Sequence, residues 1–125
     1  MIASLGARVH IFVHPNVREQ FTALFKNVLG CEVLERDFGL TYPILFVPFP
    51  DGSGFSVEFR DDAQQTDEPI YSTWIEFRTA DLDQAQRNLR DAGIREFRHP
   101  GSQHAYFVAP GGQVFRLLDL HYRGP

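Results

Sequence analysis

Side chains that can do chemistry alternate with apolar ones in three stretches of this chain. His10, Phe12 and His14 alternate with Val9, Ile11 and Val13, and Ser56, Glu58 and Arg60 with Phe55, Val57 and Phe59. Trp74, Glu76 and Arg78 alternate with Thr73, Ile75 and Phe77, and Arg116 stands in a fourth stretch, residues 114–120. A period of two puts each chemical set on one face of a strand. His10 and Glu58 offer an imidazole and a carboxylate, which suit a divalent cation. Arg116 and Arg78 are permanent cations whose planar forks suit carboxylate or phosphate, and Trp74 and Phe12 offer an aromatic wall. Three outcomes are open: a metal centre, a metal-free site for an anionic or aromatic ligand, or ion pairs that fill the space themselves.

Two similar stretches must position these groups. In residues 8–30 a strand runs into Pro15, Asn16 stands as a helix N-cap with Glu19 three residues on, and Gly30 closes the helix. Val17, Phe21, Leu24, Phe25, Val28 and Leu29 form its apolar stripe. Residues 73–93 repeat the plan more weakly, with Asp81 as N-cap, Gln84 three residues on, a stripe of Leu82, Ala85, Leu89 and Ala92, and Gly93 at the end. Each copy precedes three further strands, which predicts two βαβββ modules at about residues 8–60 and 71–121, in an α+β fold.

The first module continues with strands at 31–36, 42–49 and 55–60. Pro43 and Pro48 place the middle one at a sheet edge or make it irregular at both ends. Residues 61–69, DDAQQTDEP, are polar and aperiodic and read as the linker. The second module continues with strands at 94–98, 105–108 and 114–120, and residues 121–125 read as a tail. If both stripes pack on the sheets, the faces bearing Ile11, Val57 and Ile75 are covered. The opposite faces then line a concave surface bearing the chemical set.

At 125 residues and 14.3 kDa, this is one domain of two fused halves, with 43% hydrophobic residues and 12 phenylalanines for an aromatic core. A net charge of −4 without a clustered basic face argues against nucleic acid as a partner. No apolar run approaches the roughly 20 residues that span a membrane. The first residues lack the pattern of a signal peptide, so a cytoplasmic location is expected. Cys31 stands alone and has no partner for an internal disulfide; a buried small side chain is its expected role.

FKNVLG at 25–30, FRTADLDQA at 77–85 and APGGQVFRL at 109–117 complete a pattern that spans residues 10–120. The last piece resembles the DPxGN hairpin and final strand of the vicinal oxygen chelate superfamily. That superfamily comprises glyoxalase, bleomycin-resistance proteins, extradiol dioxygenases and fosfomycin-resistance enzymes. The resemblance implies curved, cup-like mixed sheets with helices on the outer face, and a homodimer. It places metal ligands, in metal-dependent members, at His10 and Glu58 of the first module and at Trp74 and Arg116 of the second. Trp lacks a ligating lone pair and Arg repels a cation. The expectation is therefore a small-molecule binder without a catalytic metal, like the bleomycin-resistance branch. His10, Phe12, Glu58, Trp74, Arg78 and Arg116 would line its cup, with Arg116 paired to Glu58 or facing an anion. The alternative is a divalent-metal-dependent lyase, isomerase or dioxygenase that keeps His10 and Glu58 and recruits further ligands around His14, His99, His104 or Glu76. A degenerate interaction module with a filled cup is the third reading.

Overall fold

Alternation at residues 8–13 builds the first strand, β1 (Arg8–Val13), and Pro15, which fixes φ and lacks an N–H, ends it. The structure, a computed structural model, describes residues 1–124; Pro125, the end of the expected tail, lies outside them. After β1 come a 3₁₀ turn (Pro15–Val17), a short helix α1 (Arg18–Ala23) and a π-helical turn (Leu24–Val28). The strands β2 (Leu34–Arg36), β3 (Ile44–Pro48) and β4 (Gly54–Phe59) complete the first round. The second consists of β5 (Ile70–Thr79), α2 (Leu82–Asp91), β6 (Arg95–Arg98), β7 (Ala105–Val108) and β8 (Gln113–Asp119).

Each round forms its own four-stranded sheet, β1-β4-β3-β2 and β5-β8-β7-β6. In both, the first strand pairs in parallel with the last and the other pairings are antiparallel. The fold is α+β, a βαβββ unit made twice. The chain divides into two compact units, Met1–Gln65 and Thr66–Pro125, with the division inside the polar stretch 61–69.

In unit 1 the helical segment buries Phe21, Leu24 and Phe25 against the sheet. Phe21 meets Phe59 at 6.2 Å and Phe25 meets Phe55 at 4.9 Å between ring centroids. The face of Ile11, Val13, Phe55, Val57 and Phe59 is thus the covered one, as the alternation predicts. In unit 2, α2 buries Leu89 and packs on β8. Phe107 and Phe115 stack below at 5.7 Å.

Local details depart from expectation. Asn16 is not the N-cap: the 3₁₀ turn begins at Pro15, so the cap falls on His14, whose Nδ1 accepts the Asn16 N–H at 3.2 Å. Asp81 does cap α2, accepting the Gln84 N–H at 3.1 Å. Gly30 ends the first helical segment at φ +68, a left-handed backbone that favours glycine. β3 is an inner strand between β2 and β4; Pro43 and Pro48 sit just before it and at its last residue, where ladder donors are dispensable. β5 starts earlier than the alternation suggests. Ile70 pairs with Gln113 but Trp74 with Val114, so residues 71–73 bulge out of the ladder.

Candidate functional site

Parallel pairing of β1 with β4 sets His10 opposite Ser56 and Phe12 opposite Glu58, on the face away from α1. The His10 ring spans two partners: Nδ1 lies 2.6 Å from the Ser56 Oγ and Nε2 lies 3.3 Å from a Glu58 carboxylate oxygen. A carboxylate only accepts, so Nε2 carries the proton in this contact, and in the neutral ring Nδ1 accepts from the Ser56 hydroxyl. Arg60 donates to the other Glu58 oxygen at 3.2 Å and to both oxygens of Asp62 at 2.8 and 2.9 Å. These carboxylates raise the Arg60 guanidinium pKa further, Asp62 contributing most. Phe12 lies beneath that guanidinium at 5.7 Å and is 58% exposed. His14 does not join this group, because its ring is spent on the cap.

Unit 2 has the same register with different chemistry. Trp74 lies opposite Val114 and Glu76 opposite Arg116. Arg116 is the one buried charged residue among those described, and each of its nitrogens donates. Nε and Nη2 reach one Glu76 oxygen at 3.1 and 2.7 Å, and Nη1 reaches the Tyr106 hydroxyl at 3.3 Å. The Trp74 ring caps the guanidinium at 4.2 Å, a close cation–π contact. Partial burial opposes the charged form of Glu76, yet the hydrogen bonds and charges of Arg116 and Arg78 outweigh it and hold its carboxyl below the usual range. Burial likewise opposes the Arg116 cation and is outweighed by Glu76 and Tyr106. The partner of Arg116 is therefore Glu76 rather than Glu58. The reason is register: Glu76 is its direct neighbour across the ladder.

Arg78 is also occupied. It donates to the second Glu76 oxygen at 2.8 Å and to the Asp119 and Tyr122 carbonyls at 3.1 and 2.7 Å, pinning residues 119–122 to the sheet. His104 Nε2 meets the Tyr122 hydroxyl at 3.0 Å, and His99 Nδ1 donates to the Pro100 carbonyl at 2.8 Å.

With its inner face on Arg116, Trp74 keeps 44% of its surface exposed. Beside it opens a pocket of about 490 Å³ walled by Tyr71, Trp74, Phe97 and His99, with Val114 and the bulge residues Ser72 and Thr73. Tyr71 and Phe97 meet edge to face at 6.1 Å. Sequence reasoning reached Trp74 but missed Tyr71 and Phe97. Tyr71 lies in the bulge, where alternation stops reporting the face, and Phe97 carries no signal beyond its strand.

His10 and Glu58 supply two donors suited to a divalent ion. The two positions at which the resemblance implies further ligands hold Trp74, without a lone pair, and Arg116, a cation already neutralised by Glu76. Among the described residues no three His, Cys, Asp or Glu side chains converge in a way that could hold an ion. This donor set does not fit a resident metal. Cys31 is half-buried and its thiol pKa is raised by burial, the opposite of an activated nucleophile.

No family model matches the chain, and no curated protein is significantly similar to it. Solved structures do resemble it. A fosfomycin resistance protein, FosX from Listeria monocytogenes, in a form complexed with Mn(II) and sulfate, matches at 17% identity and TM-score 0.66, over 95% of this chain and 91% of that one. FosX from Mesorhizobium loti matches at 16% identity and TM-score 0.67, over 94% and 91%. TnmS3, an antibiotic binding protein from Streptomyces sp. CB03234, matches at 23% identity and TM-score 0.62, over 95% and 98%. At these identities the likeness is one of fold.

Proposed function

The chain has the vicinal oxygen chelate fold, and on that premise we propose that it binds a small, flat organic molecule against the aromatic wall of unit 2, without a catalytic metal. One observation carries the reading. Arg116, at a position the fold's metal-dependent members give to a ligand, is buried under Trp74 and neutralised by Glu76, and it holds the indole as one wall of an open pocket. A cation on the inner face of an indole fixes the ring at little entropic cost when a ligand stacks on the outer face. Tyr71 and Phe97 supply edges for the same ligand. In unit 1, His10, Phe12 and Glu58 present a hydrogen-bonding and aromatic patch of the same character. The antibiotic-binding activity in the name of TnmS3 supports small-molecule binding on this fold. A homodimer and a cytoplasmic location belong to the same proposal, and sedimentation velocity tests the first.

Trp74 is the chain's only tryptophan, so its fluorescence reports the pocket directly. Titration with indole, 2-naphthol and similar flat aromatics is expected to quench it saturably. Tyr71→Ala and Phe97→Ala should each weaken binding several-fold, about 0.5–1.5 kcal/mol per aromatic pair. Elemental analysis of tag-free protein accompanies the titration. Stoichiometric metal would overturn the metal-free reading and favour an enzyme built outward from His10 and Glu58; quenching that never saturates would overturn the aromatic site.

A further inference from the structure

We propose that unit 1 carries a separate site: a cleft that binds an organic oxyanion with an apolar body, its head group held between Arg8 and Arg36. The cleft, about 340 Å³, opens on the sheet face away from α1, with Phe46, Pro48, Gly54 and Ser56 along its floor. Register places Phe46 opposite Ser56, and Pro48 opposite Gly54, which in turn faces Arg8. The two arginines come from the outer strands β1 and β2 and lean inward over this floor. Arg36 lies over the Phe46 ring at 5.7 Å. Arg8 crosses β4 to donate Nη1 to the Gly52 carbonyl at 2.6 Å, and it lies 3.4 Å from where a side chain on Gly54 would begin. Phe46 and Pro48 are two residues apart on one strand, about 7 Å, so the guanidinium groups cover neighbouring rows.

Neither arginine has a carboxylate partner among the described residues, although acidic groups are plentiful in unit 1. Glu35 is taken by Arg18, and Glu58 and Asp62 by Arg60. Asp51, closest in sequence to Gly52, turns its carboxylate into its own hairpin and accepts the Ser53 N–H at 2.9 Å. Asp37 does the same for the Gly39 N–H at 2.8 Å. Two uncompensated guanidinium groups over an apolar floor complement a charged oxygen cluster joined to a hydrophobic body. Gly54 is required by the ladder itself: a Cβ there would stand 2.9 Å from the Val47 carbonyl oxygen and 3.4 Å from the Arg8 guanidinium.

Calorimetric titration with hexyl phosphate, hexanoate, 1-hexanol and inorganic phosphate, none of them a flat aromatic, tests this. Hexyl phosphate or hexanoate should bind saturably, whichever is tighter naming the oxyanion. 1-Hexanol, which lacks the charge, and inorganic phosphate, which lacks the body, should each bind at least roughly tenfold more weakly. Arg8→Gln and Arg36→Gln should each cost about tenfold, the loss of a charge-assisted hydrogen bond, and the double variant should abolish binding with the thermal midpoint unchanged. Binding should persist in Tyr71→Ala, so this site and the aromatic pocket stand or fall separately. Equal binding to the double variant, equal binding of 1-hexanol, or loss of binding in Tyr71→Ala would overturn the proposal.

Discussion

The two units set the same ladder positions beside each other and fill them differently. In unit 1 the neighbouring pairs are His10 with Ser56 and Phe12 with Glu58; in unit 2 they are Trp74 with Val114 and Glu76 with Arg116. The polar groups of unit 1 are half-open, with His10, Glu58 and Arg60 in a chain whose side chains are 38%, 20% and 46% exposed. Those of unit 2 close inward on Arg116, whose side chain is 7% exposed. One topology therefore supports two electrostatic designs. A carboxylate on the last strand leaves a group that faces outward to a partner. An arginine there must be neutralised on the spot, and the carboxylate that does so is the one across the parallel ladder, Glu76. With Arg116 neutralised, the Trp74 ring above it remains as exposed aromatic surface.

The largest expected effect separates these designs. Glu76→Ala leaves a buried guanidinium without its counter-charge and should cost about 3 kcal/mol, the low end for such a change because Glu76 keeps some contact with water. Glu58→Ala, at the exposed chain of unit 1, should cost less than about 1 kcal/mol. Urea unfolding followed by circular dichroism and Trp74 fluorescence measures both. The double variant Glu76→Met/Arg116→Met should recover most of the loss, since apolar replacements remove the desolvation cost along with the pair. Equal losses at Glu76 and Glu58 would erase the distinction between the units.

The pH dependence of stability sharpens the same contrast. The folded-state pKa of Glu76 lies below its unfolded value, so its stabilisation is complete above the ordinary glutamate pKa of about 4.3. It is lost as pH falls through the lowered folded value. Glu76→Gln should therefore lie below the wild type at neutral pH and converge on it under acid. Parallel stability curves from pH 7 to pH 3 would show that Glu76 does not titrate as part of a folded ion pair.

What the sequence made legible follows from what alternation and turn chemistry encode. The doubled βαβββ plan and the covered face of unit 1 rest on period-two runs and on Phe21 and Phe25, whose burial follows from helical spacing. Arg116 was recognisable as a misfit for a metal once the resemblance to the vicinal oxygen chelate superfamily placed a ligand there, since a permanent cation repels a metal. Its partner was not, because Glu58 and Glu76 look equivalent until the register of β5 against β8 is known, and a bulge at residues 71–73 sets that register. The same bulge hid Tyr71. Arg8 and Arg36 gave no signal, since what distinguishes them, the lack of a carboxylate partner among the described residues, shows only in the folded structure.

The helices extend the comparison at lower energy. In unit 2 the Asp81 carboxylate caps α2 and adds a negative charge at the positive end of the helix dipole, so Asp81→Ala should cost about 1 kcal/mol. In unit 1 the His14 imidazole satisfies one N–H of a short 3₁₀ turn at 3.2 Å, and His14→Ala should cost only about 0.5 kcal/mol. The difference has a backbone origin. Pro15 already fixes φ at the first position of the turn and has no N–H to satisfy, so less depends on the cap there than at Asp81. Ser and Asn substitutions at position 14, better caps than His, should then raise the urea midpoint slightly. If His14→Ala instead costs as much as Asp81→Ala, the imidazole is holding β1 and its His10 face in place, and the two modules share more of their construction than the caps suggest.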